Sequence, residues 1–355
     1  MFFHRINEGR PIIQPSGEWE MKGTDNSCAL FLERSQETDE VIENIIGNEM
    51  MADKRIRDGI VISLYPGVGI YGDSDRVKQH RCLAIFTPEM ELLKKLAYPI
   101  MSPPDDPDRI DSVGIEDVRL SYIENIFYAW YCGYNGKDGA ACVAWSKDLL
   151  NWNTVAPLLG NINNTYNKDH VVFPEKINGK WCMLHRPWGP KIPNINDMVI
   201  RLAFSENLLG PWEDAGEIIR GLPQEGRTDI WAGAGPCPIA LGDNRYLLLY
   251  HIGSYFPDGY RQYDGCAALL DFNRFNPESP QSIVVKRLES IMIPATEWEI
   301  NNDKRIDIIF PLGNYIYKGN LVVVYGAGDK CTCAAKIPFD ELLDMFEIEK
   351  TDITI

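Results

Sequence analysis

Trp145-Ser146-Lys147-Asp148-Leu149, followed by Trp152, recurs as Phe204-Ser205-Glu206-Asn207-Leu208, followed by Trp212, and earlier as Phe86-Thr87-Pro88-Glu89-Met90. Each copy reads aromatic, hydroxyl, any residue, acid or amide, apolar. The hydroxyls stand at 87, 146 and 205, an interval of 59 residues both times. Two looser copies follow, Ala267-Ala268-Leu269-Leu270-Asp271 and Ala334-Ala335-Lys336-Ile337, each a small-apolar run entering a polar turn. Short strand-like runs bounded by turn formers precede every copy. Self-similarity at such a period is the mark of a repeat architecture. Five units of about four strands each predict an all-β, five-bladed β-propeller.

One domain over residues 1–355 is expected, with two helical additions. Val41, Ile42, Ile45 and Ile46 fall at helical spacing inside the polar stretch 31–54, which suggests a surface helix in an insertion. Residues 339–347 read as a short C-terminal helix. The innermost strand of each blade is expected at Asp58–Ile62, Gly114–Arg119, Asp169–Phe173, Ala232–Pro236 and Arg305–Ile309. Their polar residues would converge on one central pocket.

Composition narrows the function classes. The net charge of −16 argues against non-specific binding to nucleic acid or an anionic membrane. A cluster of cations in so acidic a chain therefore needs a reason. Nine Trp, 16 Tyr and 13 Phe suit a β-rich protein with aromatic faces to stack on sugar rings. The 9 Cys are scattered, odd in number and without a CxxC pair, as expected of buried free thiols in a reducing compartment. Residues 1–7 carry no apolar leader, and no run reaches the length of a membrane span, so a cytoplasmic location is expected.

Chemistry concentrates around one hairpin. Between Asn167 and Pro187, two apolar runs flank Asn178-Gly179, the strongest short hairpin signal. Pairing would set Lys168-Asp169-His170 beside His185-Arg186. Further candidates are Asp117 with Glu116 and Arg119, His251 after the run Tyr246–Tyr250, Asp307, and Asp329 in Tyr325-Gly326-Ala327-Gly328-Asp329. Cations converging with carboxylates suit an anionic substrate beside acid–base chemistry, and three cations suit phosphate. No metal is expected, since no His pair has ligand spacing and Lys and Arg repel a cation. Glu116 is expected to partner Arg119, Asp169 to touch a sugar hydroxyl or orient Lys168, and His170 to be structural.

In order and spacing, a set of motifs resembles glycoside hydrolase family 130, the β-mannoside phosphorylases and related mannosidases. The carriers are Gly114-Ile115-Glu116-Asp117-Val118-Arg119, Lys168-Asp169 with Phe173–Lys180, His185-Arg186-Pro187, Gly233-Ala234-Gly235-Pro236, Tyr250-His251, Gly265–Asp271 and Tyr325–Asp329. The resemblance covers about 58 to 338. It implies a five-bladed propeller, with Asp117 as the general acid acting through a sugar hydroxyl. Lys168, Arg186 and His251 would hold phosphate, and Asp169, Asp329, Arg119, His185 and Asn26 would contact sugar. The implied reaction is inverting phosphorolysis of a β-mannoside to α-mannose 1-phosphate, with inorganic phosphate as co-substrate and no cofactor. Its partners are an oligosaccharide and phosphate, and a homo-oligomer is compatible with it. An inverting hydrolase instead needs a second carboxylate roughly 6.5–9.5 Å from the acid to activate water. A non-catalytic carbohydrate-binding propeller is the remaining alternative.

The sequence departs from the family pattern in three places. Lys168 replaces the Arg of some members, and Asp117-Val118-Arg119 replaces Asp-Pro-Arg. Leu64-Tyr65-Pro66-Gly67 stands where Tyr-Arg is expected, leaving Arg55, Arg57, Arg76 and Arg81 as candidates for the lost guanidinium.

Overall fold

The computed structural model describes residues 3–70 and 77–348. Its strands form three hydrogen-bonded sheets of 10, 4 and 8 strands. Both larger sheets divide where a short parallel contact joins two antiparallel meanders, at Gln79 with Gly114 and at Arg261–Tyr263 with Ile306–Ile308. In chain order the described residues thus make five antiparallel groups. The first is Leu30–Glu33, Gly59–Gly69, Lys78–Phe86 and Leu92–Lys95. The second is Gly114–Ile123, Ile126–Tyr134, Gly139–Ser146 and Asn153–Val155, and the third is Tyr166–Val172, Trp181–Trp188, Ile200–Ser205 and Glu213–Ile219. The fourth is built on Thr228–Ala234, Arg245–Tyr255, Arg261–Asp271 and Val284–Met292, and the fifth on Ile306–Tyr317, Asn320–Ala327 and Cys331–Pro338. The N-terminal pair His4–Arg5 adds a strand to Cys331–Pro338, so the start of the chain completes its last group.

Both faces of most strands are covered, which explains why they read as nearly continuous apolar runs rather than alternating ones. In Gly139–Ser146, Ala141 and Val143 enter a cluster shared with the third group, while Cys142 and Ala144 enter one shared with the first. Further clusters join third with fourth, fourth with fifth, and fifth with first. The order of packing therefore returns to its start.

The hairpin forms as read. Asn178 (φ 52°) and Gly179 (φ 84°) take the two left-handed positions of the turn, and Ile177 and Lys180 exchange backbone hydrogen bonds across it. Lys168 and Arg186 are register partners. One assignment is corrected. Gly59–Gly69 is the second strand of its group, because Leu30–Glu33 pairs along it from Leu30 opposite Ile62 to Glu33 opposite Gly59. The first strand therefore lies some thirty residues earlier than expected, beyond the helix.

That helix spans Asp39–Ile46 and ends at Gly47, whose φ of 92° an L side chain rarely adopts. It is amphipathic, as its spacing predicted: Glu40, Glu43 and Asn44 are exposed, while Ile42, Ile45 and Ile46 are buried with Ile56 and Ile60. The C-terminal helix, Phe339–Phe346, buries Phe339, Leu342, Leu343 and Phe346 on one stripe against the fourth and fifth groups. No helix among the described residues is long and apolar enough to cross a membrane.

Candidate functional site

Three of the groups open on the same backbone irregularity. Gly114–Ile123 carries a bulge between Glu116 and Arg119, Tyr166–Val172 one between Lys168 and Val171, and Thr228–Ala234 one between Thr228 and Trp231. Inside these bulges lie Asp117 (φ 49°), Asp169 (φ 52°) and Asp229 (φ 48°), and Asn26 (φ 55°) precedes Leu30–Glu33. Asp and Asn tolerate the left-handed region better than other side chains with a Cβ. A bulge re-aims the side chain it carries, here out of the alternation of the strand.

Asp169 is the hub. Its Oδ2 accepts from Nε of Arg186 at 2.6 Å, its Oδ1 accepts from Nη2 of Arg119 at 3.1 Å, and Nε2 of His251 lies 3.6 Å from Oδ2. Burial works to raise its pKa, but the guanidinium of Arg186 foremost, with that of Arg119, holds the carboxyl well below the usual carboxylate range. Arg119 also donates to the carbonyls of Asp117 (2.7 Å), Ala234 (2.8 Å) and Gly235 (3.2 Å), tying the second, third and fourth groups together. Gly233 makes room for this cluster: a Cβ there would sit 2.2 Å from Oδ2 of Asp169 and 2.4 Å from Nε2 of His251.

Lys168 extends across to the second group. Its Nζ lies 2.9 Å from Oε2 of Glu116 and 5.1 Å from the centre of the Trp188 ring. Burial pulls its pKa down, but Glu116 leads the groups that raise it, and the net shift is upward, so the amine is a firm cation. His251 is fully buried against Phe310, and neither ring nitrogen makes a hydrogen bond among the described residues. Burial lowers its pKa to about 3. The expected trio of cations is therefore two cations and a neutral imidazole, which can donate one hydrogen bond but supplies no charge.

On the other side of Asp117 the groups are acidic and amide. Asp117 Oδ1 accepts from Nδ2 of Asn26 at 2.9 Å. Asp25, the preceding residue, has its pKa pushed up to about 7 by burial, then by Asp329 and Asp117. Asp329 (φ 57°) is held by Nζ of Lys304, 2.7 Å from Oδ2. Arg81, completely buried, donates from Nε to the carbonyl of Ile115 at 2.6 Å. Among the described residues, no group of three or more His, Cys, Asp or Glu is placed to hold a metal ion.

The profile of a family described as beta-1,4-mannooligosaccharide phosphorylase matches residues 84–348. The chain belongs to glycoside hydrolase family 130. It is 32% identical over 219 residues to a 1,2-beta-oligomannan phosphorylase of Thermoanaerobacter sp., a match covering 61% of this chain and 65% of that protein. It is 30% identical over 237 residues to a beta-1,2-mannobiose phosphorylase of Listeria innocua, covering 66% and 61%. The matched region thus spans a little under two thirds of the length of these relatives. The solved Listeria innocua beta-1,2-mannobiose phosphorylase, in complex with beta-1,2-mannobiose, superposes with a TM-score of 0.70 at 21% identity over 98% of this chain and 100% of that one. At that identity the likeness speaks for the fold.

Within this member of the family, the structure gathers Asp117, Asn26, Arg119, Lys168, Asp169, Arg186 and His251 around one place, with Asp329 reaching it through Asp25. His185 is elsewhere. Its Nδ1 meets Nδ2 of Asn167 at 2.9 Å, and its Nε2 lies 3.3 Å from Asp214, which Arg201 holds at 2.6 Å. Adjacent residues on a strand point to opposite faces, so His185 and Arg186 serve different neighbours. Glu116 partners Lys168 rather than Arg119. Asp169 orients two arginines, not Lys168. His170 donates from Nε2 to the Cys142 carbonyl at 3.0 Å, as a structural residue does. Asp307 accepts from the Tyr260 hydroxyl at 2.7 Å. Arg55 and Arg57 are exposed partners of Asp53, Glu91 and Asp58, and Arg76 lies outside the described residues. Asp25 was not singled out from sequence. Its signal was an Asx ahead of a strand start, which becomes visible only once the strands are placed.

Proposed function

We propose that the chain phosphorolyses a β-linked mannoside with inversion, giving α-mannose 1-phosphate and the shortened sugar. The observation that carries this is the pairing of Asp117 with a separate cationic cluster, Lys168 and Arg186, with neutral His251 beside the Asp169 that aims Arg186. Asp117 supplies the proton to the glycosidic oxygen through a sugar hydroxyl, and Asn26 fixes the carboxyl that does so. Lys168 and Arg186 hold phosphate by charge-assisted hydrogen bonds, and His251 donates one neutral bond. Phosphate is already an anion and needs no base to attack the anomeric carbon. Asp169, held far down in pKa by its arginines, is too weak a base to activate water and serves to aim the clamp. Arg119 positions the Asp117 backbone, and Asp329 and Asp25 face the sugar. Phosphate is the co-substrate, and no cofactor takes part.

The five antiparallel groups are, in this reading, the blades of a five-bladed β-propeller. The cyclic order of packing, first to fifth and back to first, supports it. All nine cysteines are unpaired, which suits a reducing, cytoplasmic setting.

One observation favours a second reading, inverting hydrolysis. Asp25, with its pKa near 7, is a carboxyl able to take a proton from water at neutral pH. The two readings separate cleanly. The protein is incubated with β-1,2- and β-1,4-mannobiose, with and without inorganic phosphate. Mannose 1-phosphate formed only with phosphate is the expected result, and free mannose released without phosphate would overturn phosphorolysis. No turnover on either sugar would favour a binding protein. Asp117→Asn should lower kcat about 10²–10⁴-fold with the thermal transition unchanged.

A further inference from the structure

Arg81 is buried to 0% exposure, yet its guanidinium uses only Nε, donating to the Ile115 carbonyl at 2.6 Å. Among the described residues, Nη1 and Nη2 have no hydrogen-bond partner. Buried polar groups are nearly always satisfied, and a buried charged donor left unmade is costly. The contrast with the other buried arginines is plain. Arg119 donates from all three nitrogens to four acceptors, and Arg5 from all three to Glu299 and two carbonyls. Arg81 cannot simply swing away. Its backbone N–H donates to Met101 O at 2.9 Å, its carbonyl accepts from Ile100 N at 2.8 Å, and Nε is fixed at Ile115. Its charged neighbours are Asp117, Glu116 and Asp25, the acidic side of the site.

The register explains how the residue comes to be there. Arg81, on Lys78–Phe86, is the direct partner of Pro66 on Gly59–Gly69. Directly paired residues of an antiparallel pair share a face and lie about 4.5–5.5 Å apart at Cβ. A guanidinium at position 66, where the sequence has Pro, can therefore be supplied from position 81 into the same space. Of the four arginines that could replace it, Arg55 and Arg57 point to solvent.

We propose that Arg81 is the residue that holds the sugar beside Asp117, its two Nη groups donating to neighbouring hydroxyl oxygens of the pyranose. This rests on the mannoside reading above. Hydroxyl oxygens suit the position better than a second phosphate. They satisfy the donors without bringing a dianion up to Asp117 and Asp25, whereas Lys168 and Arg186 stand where an anion gains. The planar fork matches two oxygens held at fixed spacing. Such a contact both binds the ring and sets the hydroxyl through which Asp117 delivers its proton.

The test is direct binding, which does not depend on turnover. The full chain and its Arg81→Gln and Arg81→Lys variants are titrated calorimetrically with β-1,2- and β-1,4-mannobiose without phosphate, and separately with inorganic phosphate. Affinity for the better disaccharide should fall about 30-fold or more in Arg81→Gln, the loss of charged hydrogen bonds, and be partly restored in Arg81→Lys. Phosphate affinity should hold within about threefold, and the melting temperature should not fall, because a buried charge with unmade bonds has been removed. Equal sugar affinity in wild type and Arg81→Gln overturns the assignment. So does a melting temperature that drops while sugar and phosphate binding fail together, the sign of a structural role. Wild-type protein that binds neither disaccharide overturns it along with the mannoside reading. Protein that binds sugar through Arg81 but forms no mannose 1-phosphate upholds it and fails phosphorolysis alone.

Discussion

Nε of Arg186 lies 2.6 Å from Oδ2 of Asp169, and Lys168, the residue just before that carboxylate, is the register partner of Arg186. One hairpin thus presents two cations from opposite strands and the anion that aims one of them. The bulge at Asp169 makes this geometry available, because in an unbroken strand Lys168 and Asp169 would point to opposite faces.

Asp169→Asn should be severe. It leaves Arg186 and Arg119 buried without their shared counter-charge, a loss on the order of 3–5 kcal/mol, read as a drop in melting temperature at pH 7. The pH dependence follows from the lowered pKa. The stabilising contribution of Asp169 is complete above its ordinary value of 3.8 and fades as pH falls through the lower folded-state value. The stability gap between wild type and variant should therefore be constant from pH 5 to 8 and close only in stronger acid.

Gly233→Ala should disable the clamp from a residue with no side chain of its own. The new methyl would stand 2.2 Å from Asp169 and 2.4 Å from His251, so one of them must move. Overpacking of this kind costs about 1–3 kcal/mol. Phosphate binding measured by calorimetry should weaken by about tenfold or more, with secondary structure by circular dichroism unchanged.

Lys168→Met should raise the KM for phosphate about 30-fold or more through loss of a charge-assisted bond, and leave disaccharide affinity within about threefold. A parallel fall in both affinities would show that Lys168 holds the site together rather than the anion. His251, neutral across the working range, should contribute no titration to the KM for phosphate between pH 6 and 8.

Asp25→Asn should stabilise the protein, and only above acid pH. The pKa of Asp25 rises from 3.8 when unfolded to about 7 when folded. Folding therefore takes up a proton between those values, and wild-type stability declines as pH rises through that window. At pH 4 the variant and wild type should melt together; by pH 8 the variant should melt higher. A variant that melts lower at pH 8 would place the cost of this carboxylate elsewhere.

The sequence carries the hairpin and its charged ends because two local rules suffice: Asn-Gly sets the turn, and the turn sets the register that joins Lys168 to Arg186. Asp117, Asp329 and His251 were legible through motif resemblance. His185 was placed at the sugar beside Arg186, although the alternation of the strand sets the two on opposite faces. Arg81 could be named only as one of four options, because its claim rests on a cross-strand pairing with Pro66 that no local pattern announces. The first strand was misplaced for a related reason. Leu30–Glu33 is four residues long and is cut from its partner by a helix, so its pairing is long-range. Charge state was the other gap: burial, which the chain does not print, makes His251 neutral and Asp25 reluctant to ionise.

The shared left-handed backbone of Asn26, Asp117, Asp169 and Asp229 has a consequence for how such a pocket changes over generations. That conformation restricts each position to a short list in which aspartate and asparagine are near equals, so the backbone itself accepts an exchange between them. Asp and Asn codons differ at a single base. A lineage can therefore add or delete a negative charge at Asn26 or Asp117 in one step, altering which ligands the pocket accepts, whereas at Asp169 the same step strips two buried arginines of their counter-charge.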